Sequence, residues 1–223
     1  MSNQLTPYEY INFKYQRLCS TYSDIYEHLP TLSKYASECD SVFETGVRGV
    51  ISSWAFLYGL TRDVSNMSSK SLFLNDIVVC NIQEIQHICE LNHFNLEYQW
   101  KNNLELEFEE SRRFDMTFID TWHIYGQLKR ELEKFSKITN KYIALHDTTI
   151  DAEYGESIRM NHNILQMSKE SGFPVEEITK GLWKAVEEFL ETHPDWKLKE
   201  RFTNNNGLTI LEYIGKEAEG SSE

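Results

Sequence analysis

The stretch FDMTFIDTWHIYGQLKRELEKFSKITNKYIALHDTT, residues 114–149, decides the fold. An apolar run from Phe114 to Ile119 ends in Asp120, and His123 follows three residues on. A helical pattern over Gln127–Lys137 comes next, then a second apolar run, Tyr142–Leu145, that ends in His146-Asp147. Short apolar runs joined through a helix are what a buried parallel βαβ unit requires. Two such strands that both finish in polar, metal-competent side chains place those side chains along one edge of the sheet. In open α/β sheets that edge is where ligands bind.

The alternation continues in both directions. Ser41–Glu44 reads as a strand entering a glycine turn, Ser52–Leu60 as a helix, and Ser71–Ile77 as a strand carrying Asp76. Asn81–Leu91 is an amphipathic helix and Leu96–Trp100 a further strand. Downstream, Ser157–Gly172 and Leu182–Thr192 read as helices and Leu208–Ile214 as the closing strand. Residues 8–36 carry apolar side chains at helical spacing, so residues 1–40 are expected to form a helical arm. The core then occupies 41–214, and the polar tail 215–223 frays. Strands alternating with helices predict one α/β domain over 1–223 with a doubly wound, Rossmann-like sheet.

Composition narrows the function classes. The chain has 223 residues and a formal net charge of −13. An acidic surface repels phosphates, and no Lys/Arg run builds a local basic groove, so nucleic acid is not an expected partner. No run reaches the ~18 apolar residues of a membrane span. Cys19, Cys39, Cys80 and Cys89 have neither CxxC nor zinc-finger spacing, which suits reduced thiols in a soluble, cytoplasmic protein.

Three clusters carry chemistry. In ETGVRGVISS, residues 44–53, an acid closes the first strand, glycines form the turn, and two serines can cap the next helix. The turn is neither GxGxxG nor a P-loop, and its carboxylate favours an amine-bearing ligand over a pyrophosphate. Asp76 ends the second strand 27 residues after Gly49, where Rossmann-like folds place a ribose-binding acid. Asp120 and His123, with His146-Asp147 at the next strand end, supply metal ligands and a base whose ordinary pKa suits proton abstraction near neutrality.

On these residues the chain resembles the class I S-adenosylmethionine-dependent methyltransferases, and within them the metal-dependent O-methyltransferases of the macrocin and cephalosporin-hydroxylase-like group. Residues 23–56, 114–128, 141–149 and 181–212 carry the likeness. It implies a seven-stranded sheet, mostly parallel, with the last strand antiparallel. It implies that Glu44, Gly46 and Gly49 line the methionine end of the cofactor, with Arg48 and Ser53 nearby. Asp76 would hold the ribose, and Asn102 or Asn103 would approach the adenine. Asp120 and Asp147 would bind Mg²⁺ or Mn²⁺, Asp120 also lying near the cofactor, and His123 would be the base.

One residue departs from that pattern: His146 stands where the group has the first of two tandem acids. An imidazole there still ligates a divalent ion but opens the site to Mn²⁺ or another transition metal. The implied reaction is O-methylation of a hydroxyl on a sugar or glycan. The residues leave two alternatives: a catechol-type or other small-molecule O-methyltransferase, or a non-catalytic cofactor-binding module. They also leave open a homo-oligomer or a module of a larger glycan-assembling protein. The polar segment Ile150–Lys180 is expected to be the lid that sets acceptor choice.

Overall fold

In the computed structural model, residues 5–62 and 68–215 are described. The expected frayed tail from 216 onward, and residues 63–67 of the connection before the second strand, lie outside them. One compact unit spans Met1–Ile119 and a second Asp120–Glu223.

The first unit opens with α1, Pro7–Cys19, and α2, Leu29–Ser37. Thr6 starts α1 by a reciprocal capping box with Glu9, so two orphan backbone donors are satisfied at once. The strands β1 (Ser41–Thr45), β2 (Ser71–Asp76), β3 (Asn95–Trp100) and β4 (Phe114–Ile119) pair in parallel. The helices α3 (Ile51–Leu60) and α4 (Gln83–Leu91) make the crossovers β1-α3-β2 and β2-α4-β3. Phe43, Phe73, Phe108 and Phe114 form an aromatic core with ring centroids 5.3–5.8 Å apart. α3 is apolar nearly all round and almost wholly buried, as a central helix must be. Gly59 lets α2 cross it closely, because a Cβ there would lie 2.4 Å from the Ser33 carbonyl oxygen.

The second unit begins with α5 (Tyr125–Phe135) and β5 (Thr139–His146). Three short helices follow: α6 (Glu156–Arg159), α7 (Ile164–Ser171) and α8 (Val175–Thr179). Then come α9 (Leu182–Thr192), β6 (Trp196–Phe202) and β7 (Leu208–Tyr213). β7 runs antiparallel to β5 and to β6, so the closing hairpin inserts the last strand between its two partners. The seven strands follow the order β3-β2-β1-β4-β5-β7-β6, a mostly parallel sheet with an antiparallel last strand, as expected.

One expectation needs correction, and one strand was left unassigned. The single helix over Ser157–Gly172 is broken at Met160–Asn163, where Asn161 adopts φ 53 and Asn163 caps a new helix. The sequence reading assigned no element to β6, although a seven-stranded sheet that closes in a hairpin requires a strand there; its charged Lys197, Lys199, Glu200 and Arg201 mask the apolar pattern. As an edge strand it faces water, and charge there deters pairing with other chains.

The β6–β7 turn is tight: Asn205, Asn206 and Gly207 all have positive φ. A Cβ on Gly207 would come within 2.4–2.5 Å of Oγ1 and the backbone nitrogen of Thr149. Gly207→Ala is therefore expected to destabilise the protein by about 2–4 kcal/mol, from left-handed strain plus overpacking. A urea midpoint unchanged from that of the parent would contradict this packing.

Candidate functional site

Two sets of side chains stand at the carboxyl ends of the strands, one in each unit. In the first unit, the β1–α3 turn passes through three left-handed residues: Gly46 (φ 92), Arg48 (φ 39) and Val50 (φ 60). A β-branched residue in that region is strained, and such strain persists where surrounding contacts impose it. The backbone N–H of Arg48 donates to Asp76 Oδ2 at 2.8 Å, and its guanidinium pairs with Asp24. The other Asp76 oxygen accepts from the Val78 N–H at 2.9 Å. Asp76 thus stands at the tip of β2, as the sequence placed it, and ties the glycine turn to that tip.

Other expected cofactor residues are engaged within the protein. Glu44 is fully buried and accepts hydrogen bonds from the Ser52 and Ser53 hydroxyls, the latter at 2.5 Å. The serines therefore do not cap α3. They lie inside its first turn, with Val50 at the cap position. Asn103 is buried and donates to Thr45 Oγ1 at 3.0 Å, while Thr45 donates to Asn75 at 2.9 Å. Asn75 in turn donates to the carbonyls of Gln99 and Lys101, so this network fastens the ends of β1, β2 and β3 together. Asn102 caps the short 3₁₀ turn Asn103–Glu105. Gly49 has room for a Cβ, with nothing closer than 3.6 Å. Beside Asp76, Ile77 and Trp100 are 68% and 64% exposed, an unusual display of apolar surface at a strand end.

The second unit gathers Asp120, His123, His146 and Asp147, and adds Asp151 and Glu156. His123 Nε2 lies 3.0 Å from Asp120 Oδ1. Its Nδ1 lies 3.0 Å from Asp147, 3.1 Å from Glu156 and 3.4 Å from Asp151. His146 Nδ1 lies 3.4 Å from Asp120 and 3.6 Å from Asp147. Ligand atoms of Asp120, His146 and Asp147 fall within 4.8 Å of one another, as do those of His123, Asp147 and Asp151. Successive residues of a strand point to opposite faces. His146 and Asp147 reach the same cluster because Asp147 leaves the strand in the left-handed region, at φ 56.

The segment after β5 is folded onto this cluster. Arg159 grips the fully buried Asp151 with two bonds of 2.7 and 2.8 Å. The Glu156 N–H donates to the His123 carbonyl at 2.9 Å, which brings the start of α6 against the histidine loop. Trp122 Nε1 donates to the Ser157 hydroxyl at 3.2 Å, and the Trp122 ring lies 5.7 Å from that of Phe173. Ile150, Tyr154, Ile158 and Met160 remain 42–59% exposed. The sequence reading did not single out Asp151 or Glu156. The available signal was the recurrence of acids four and nine residues after Asp147, which resembles an ordinary solvated loop.

The charges shape protonation. Burial alone would lower the His123 pKa, but Asp120, Asp147, Asp151 and Glu156 together raise it well above 6.5. His146, opposed likewise by burial, is raised by Asp120 and Asp147. Burial pushes the Asp120 carboxyl upward, and the two imidazoles more than reverse this, holding it well below the ordinary range. Asp151, also pushed up by burial, is held low by Arg159 and His123.

The comparisons with solved structures concern the fold. An O-methyltransferase from Bacillus cereus in complex with SAH aligns with a TM-score of 0.58 at 14% identity, over 96% of this chain and 93% of that one. The O-methyltransferase TomG from Streptomyces achromogenes, involved in tomaymycin synthesis and in complex with SAM, aligns with a TM-score of 0.56 at 12% identity, over 96% and 92%. A methyltransferase from Geobacter sulfurreducens aligns with a TM-score of 0.54 at 11% identity, over 96% and 91%. This chain has the O-methyltransferase fold. No protein-family model and no curated protein matches it.

The charge arrangement has a measurable signature in the metal-free protein. A raised His123 pKa contributes stability that is complete below 6.5 and is lost as pH rises through the folded-state value. The lowered Asp120 and Asp151 work in the opposite sense: their contribution is complete above 3.8 and is lost as pH falls through their folded-state values. Melting temperatures between about pH 5 and about pH 10 should decline on the alkaline side, and His123→Gln should diminish that limb, leaving the share that the likewise raised His146 contributes. The same alkaline decline in parent and variant would refute the arrangement.

Proposed function

We propose that this chain is an S-adenosylmethionine-dependent O-methyltransferase that alkylates a hydroxyl of a sugar or glycan, assisted by a divalent metal and with His123 as base. The observation that carries the reading is the meeting of Asp120, His123, His146 and Asp147 at strand ends of an O-methyltransferase fold. The methyl donor is inferred from that shared fold, since the Bacillus cereus and TomG structures contain SAH and SAM. The donor set suits it. Each Asp76 oxygen accepts one backbone N–H and keeps a further lone pair for a ribose hydroxyl. The exposed Ile77 and Trp100 offer apolar surface to a purine.

The second cluster suits a divalent cation. Asp147 has a side chain 8% exposed, and its Oδ1 has no hydrogen-bond partner among the described residues. Asp120, His146 and Asp147 would hold the ion. When bound, it supplies Lewis acidity that lowers the pKa of an acceptor hydroxyl.

The chain's own residues do the rest. His123 takes the proton from the acceptor hydroxyl. The alkoxide oxygen then forms a bond to the methyl carbon as the carbon–sulfur bond breaks, which leaves S-adenosylhomocysteine and a methyl ether. Four carboxylates hold the His123 proton in the free protein. The ring would act as base only after releasing that proton, which a cation held by Asp120 and Asp147 would favour by offsetting part of their negative charge. Glu156 and Asp151 orient the ring, and Arg159 holds Asp151 in place. The segment Ile150–Lys180 is the acceptor-selecting element of this reading. Its exposed Ile150, Tyr154, Ile158 and Met160 favour a second reading, in which the acceptor is a catechol or another aromatic hydroxyl.

Transfer of labelled methyl from S-adenosylmethionine to rhamnose-type glycosides and to catechols separates these readings, and turnover on neither would leave a cofactor-binding module. His123→Ala should lower kcat by roughly 10²–10⁴-fold while leaving cofactor affinity by calorimetry unchanged. Undiminished turnover would remove His123 from the role of base. Asp76→Ala should weaken cofactor binding by roughly 10–100-fold, the worth of charge-assisted hydrogen bonds. Unchanged affinity would place the ribose elsewhere.

A further inference from the structure

We propose that His146 ligates the metal through Nδ1, is set in that role by the Asn205 carbonyl of the β6–β7 turn, and thereby makes the centre select a transition cation of the Mn²⁺, Co²⁺ and Zn²⁺ kind over Mg²⁺. This rests on the metal-assisted reading above. His146 Nε2 lies 3.3 Å from the Asn205 carbonyl oxygen. A carbonyl only accepts, so Nε2 carries the proton and donates. In the neutral ring, the Nδ1 lone pair is then aimed at Asp120 Oδ1, 3.4 Å away, and Asp147 Oδ2, 3.6 Å away. Three electron-rich atoms facing one another need a positive charge between them, supplied by a proton on Nδ1 or by a metal ion that displaces it. The side chain of His146 is 1% exposed, so solvent does not relieve the conflict. The orphaned Oδ1 of Asp147, whose side chain is also buried, is an independent sign that a partner belongs there.

The turn is built to hold this donor. Asn205 and Asn206 sit at φ 43 and 70, and Gly207 at φ 101. The Asn206 carbonyl accepts from the N–H groups of Thr149 at 2.9 Å and Ile150 at 3.0 Å, so the turn is fastened to the chain just beyond Asp147. Gly207 packs against Thr149 with no room for a side chain. One turn thus anchors the backbone after Asp147 and fixes the tautomer of His146, the outer-shell task usual around metal-ligating imidazoles. Carboxylate and water oxygens alone suit Mg²⁺, whereas an imidazole donor favours the later divalent ions.

The test uses the full chain. Long-range ¹⁵N NMR with Zn²⁺ alone should show His146 protonated at Nε2, with the metal shifting Nδ1. A shift at Nε2, or no shift in either nitrogen at saturating Zn²⁺, overturns the proposal. By calorimetry the parent should bind Mn²⁺ at least about tenfold more tightly than Mg²⁺, and His146→Asp should shrink that preference. An unchanged preference in a folded variant overturns the selectivity claim. If the variant does not fold, the NMR result on the parent decides. Zn²⁺ at Nδ1 without methyl transfer to any hydroxyl would uphold this proposal and sink the catalytic reading. Methyl transfer with His146 untouched by metal would do the reverse.

Discussion

The second unit depends on the convergence of four carboxylates upon two imidazoles in a largely buried space. Like charges repel strongly where the dielectric is low, and each buried carboxylate also loses hydration. Asp120, Asp147, Asp151 and Glu156 coexist there because cations are placed between them: His123 touches all four, and Arg159 clasps Asp151 with both arms of its guanidinium. Removing any one partner leaves an uncompensated buried charge, so the cluster is cooperative. It is also poised, because a centre that retains protons to balance its acids can exchange them for a metal ion. The same surplus of negative charge therefore serves both the fold and the proposed chemistry.

Backbone conformation makes the convergence geometrically feasible. The left-handed Asp147 sends two sequential side chains to one place, and the left-handed β6–β7 turn bonds the His146 ring and the backbone just beyond Asp147. The first unit uses the same device, passing three left-handed residues through the β1–α3 turn, whose Arg48 N–H meets the Asp76 carboxylate. In both units the unusual conformations cluster at strand ends, where function-related strain is expected, while the strand interiors are regular.

Much of this was legible beforehand. Phe114–Ile119, mainly apolar, and Tyr142–Leu145, wholly so, announced buried strands because they are too short for a helix and are followed by polar strand-end residues. Asp120, His123, His146 and Asp147 were legible as a group because each follows such a run. β6 was not legible, since an edge strand presents charge to solvent and so loses the apolar pattern on which strand reading relies. The break at Met160–Asn163 carried a signal, since asparagine favours caps and turns over helix interiors, but the sequence reading ran one helix through it. Glu44 and Asn103 carried polar identity without a sign of their partners. Only packing shows that they fasten strand ends to a helix and to one another.

By itself, the order of apolar and polar residues determined the alternation of strands and helices and the strand ends that carry acids and histidines. These are local properties, set by periodicity over a few residues and by turn chemistry. Tertiary structure alone decided that Asp151 and Glu156 join His123, that Arg159 neutralises Asp151, and that a carbonyl 59 residues downstream sets the tautomer of His146. Those outcomes depend on contacts between segments distant in sequence, and the electrostatics of a buried group is the sum over whatever the fold brings near it.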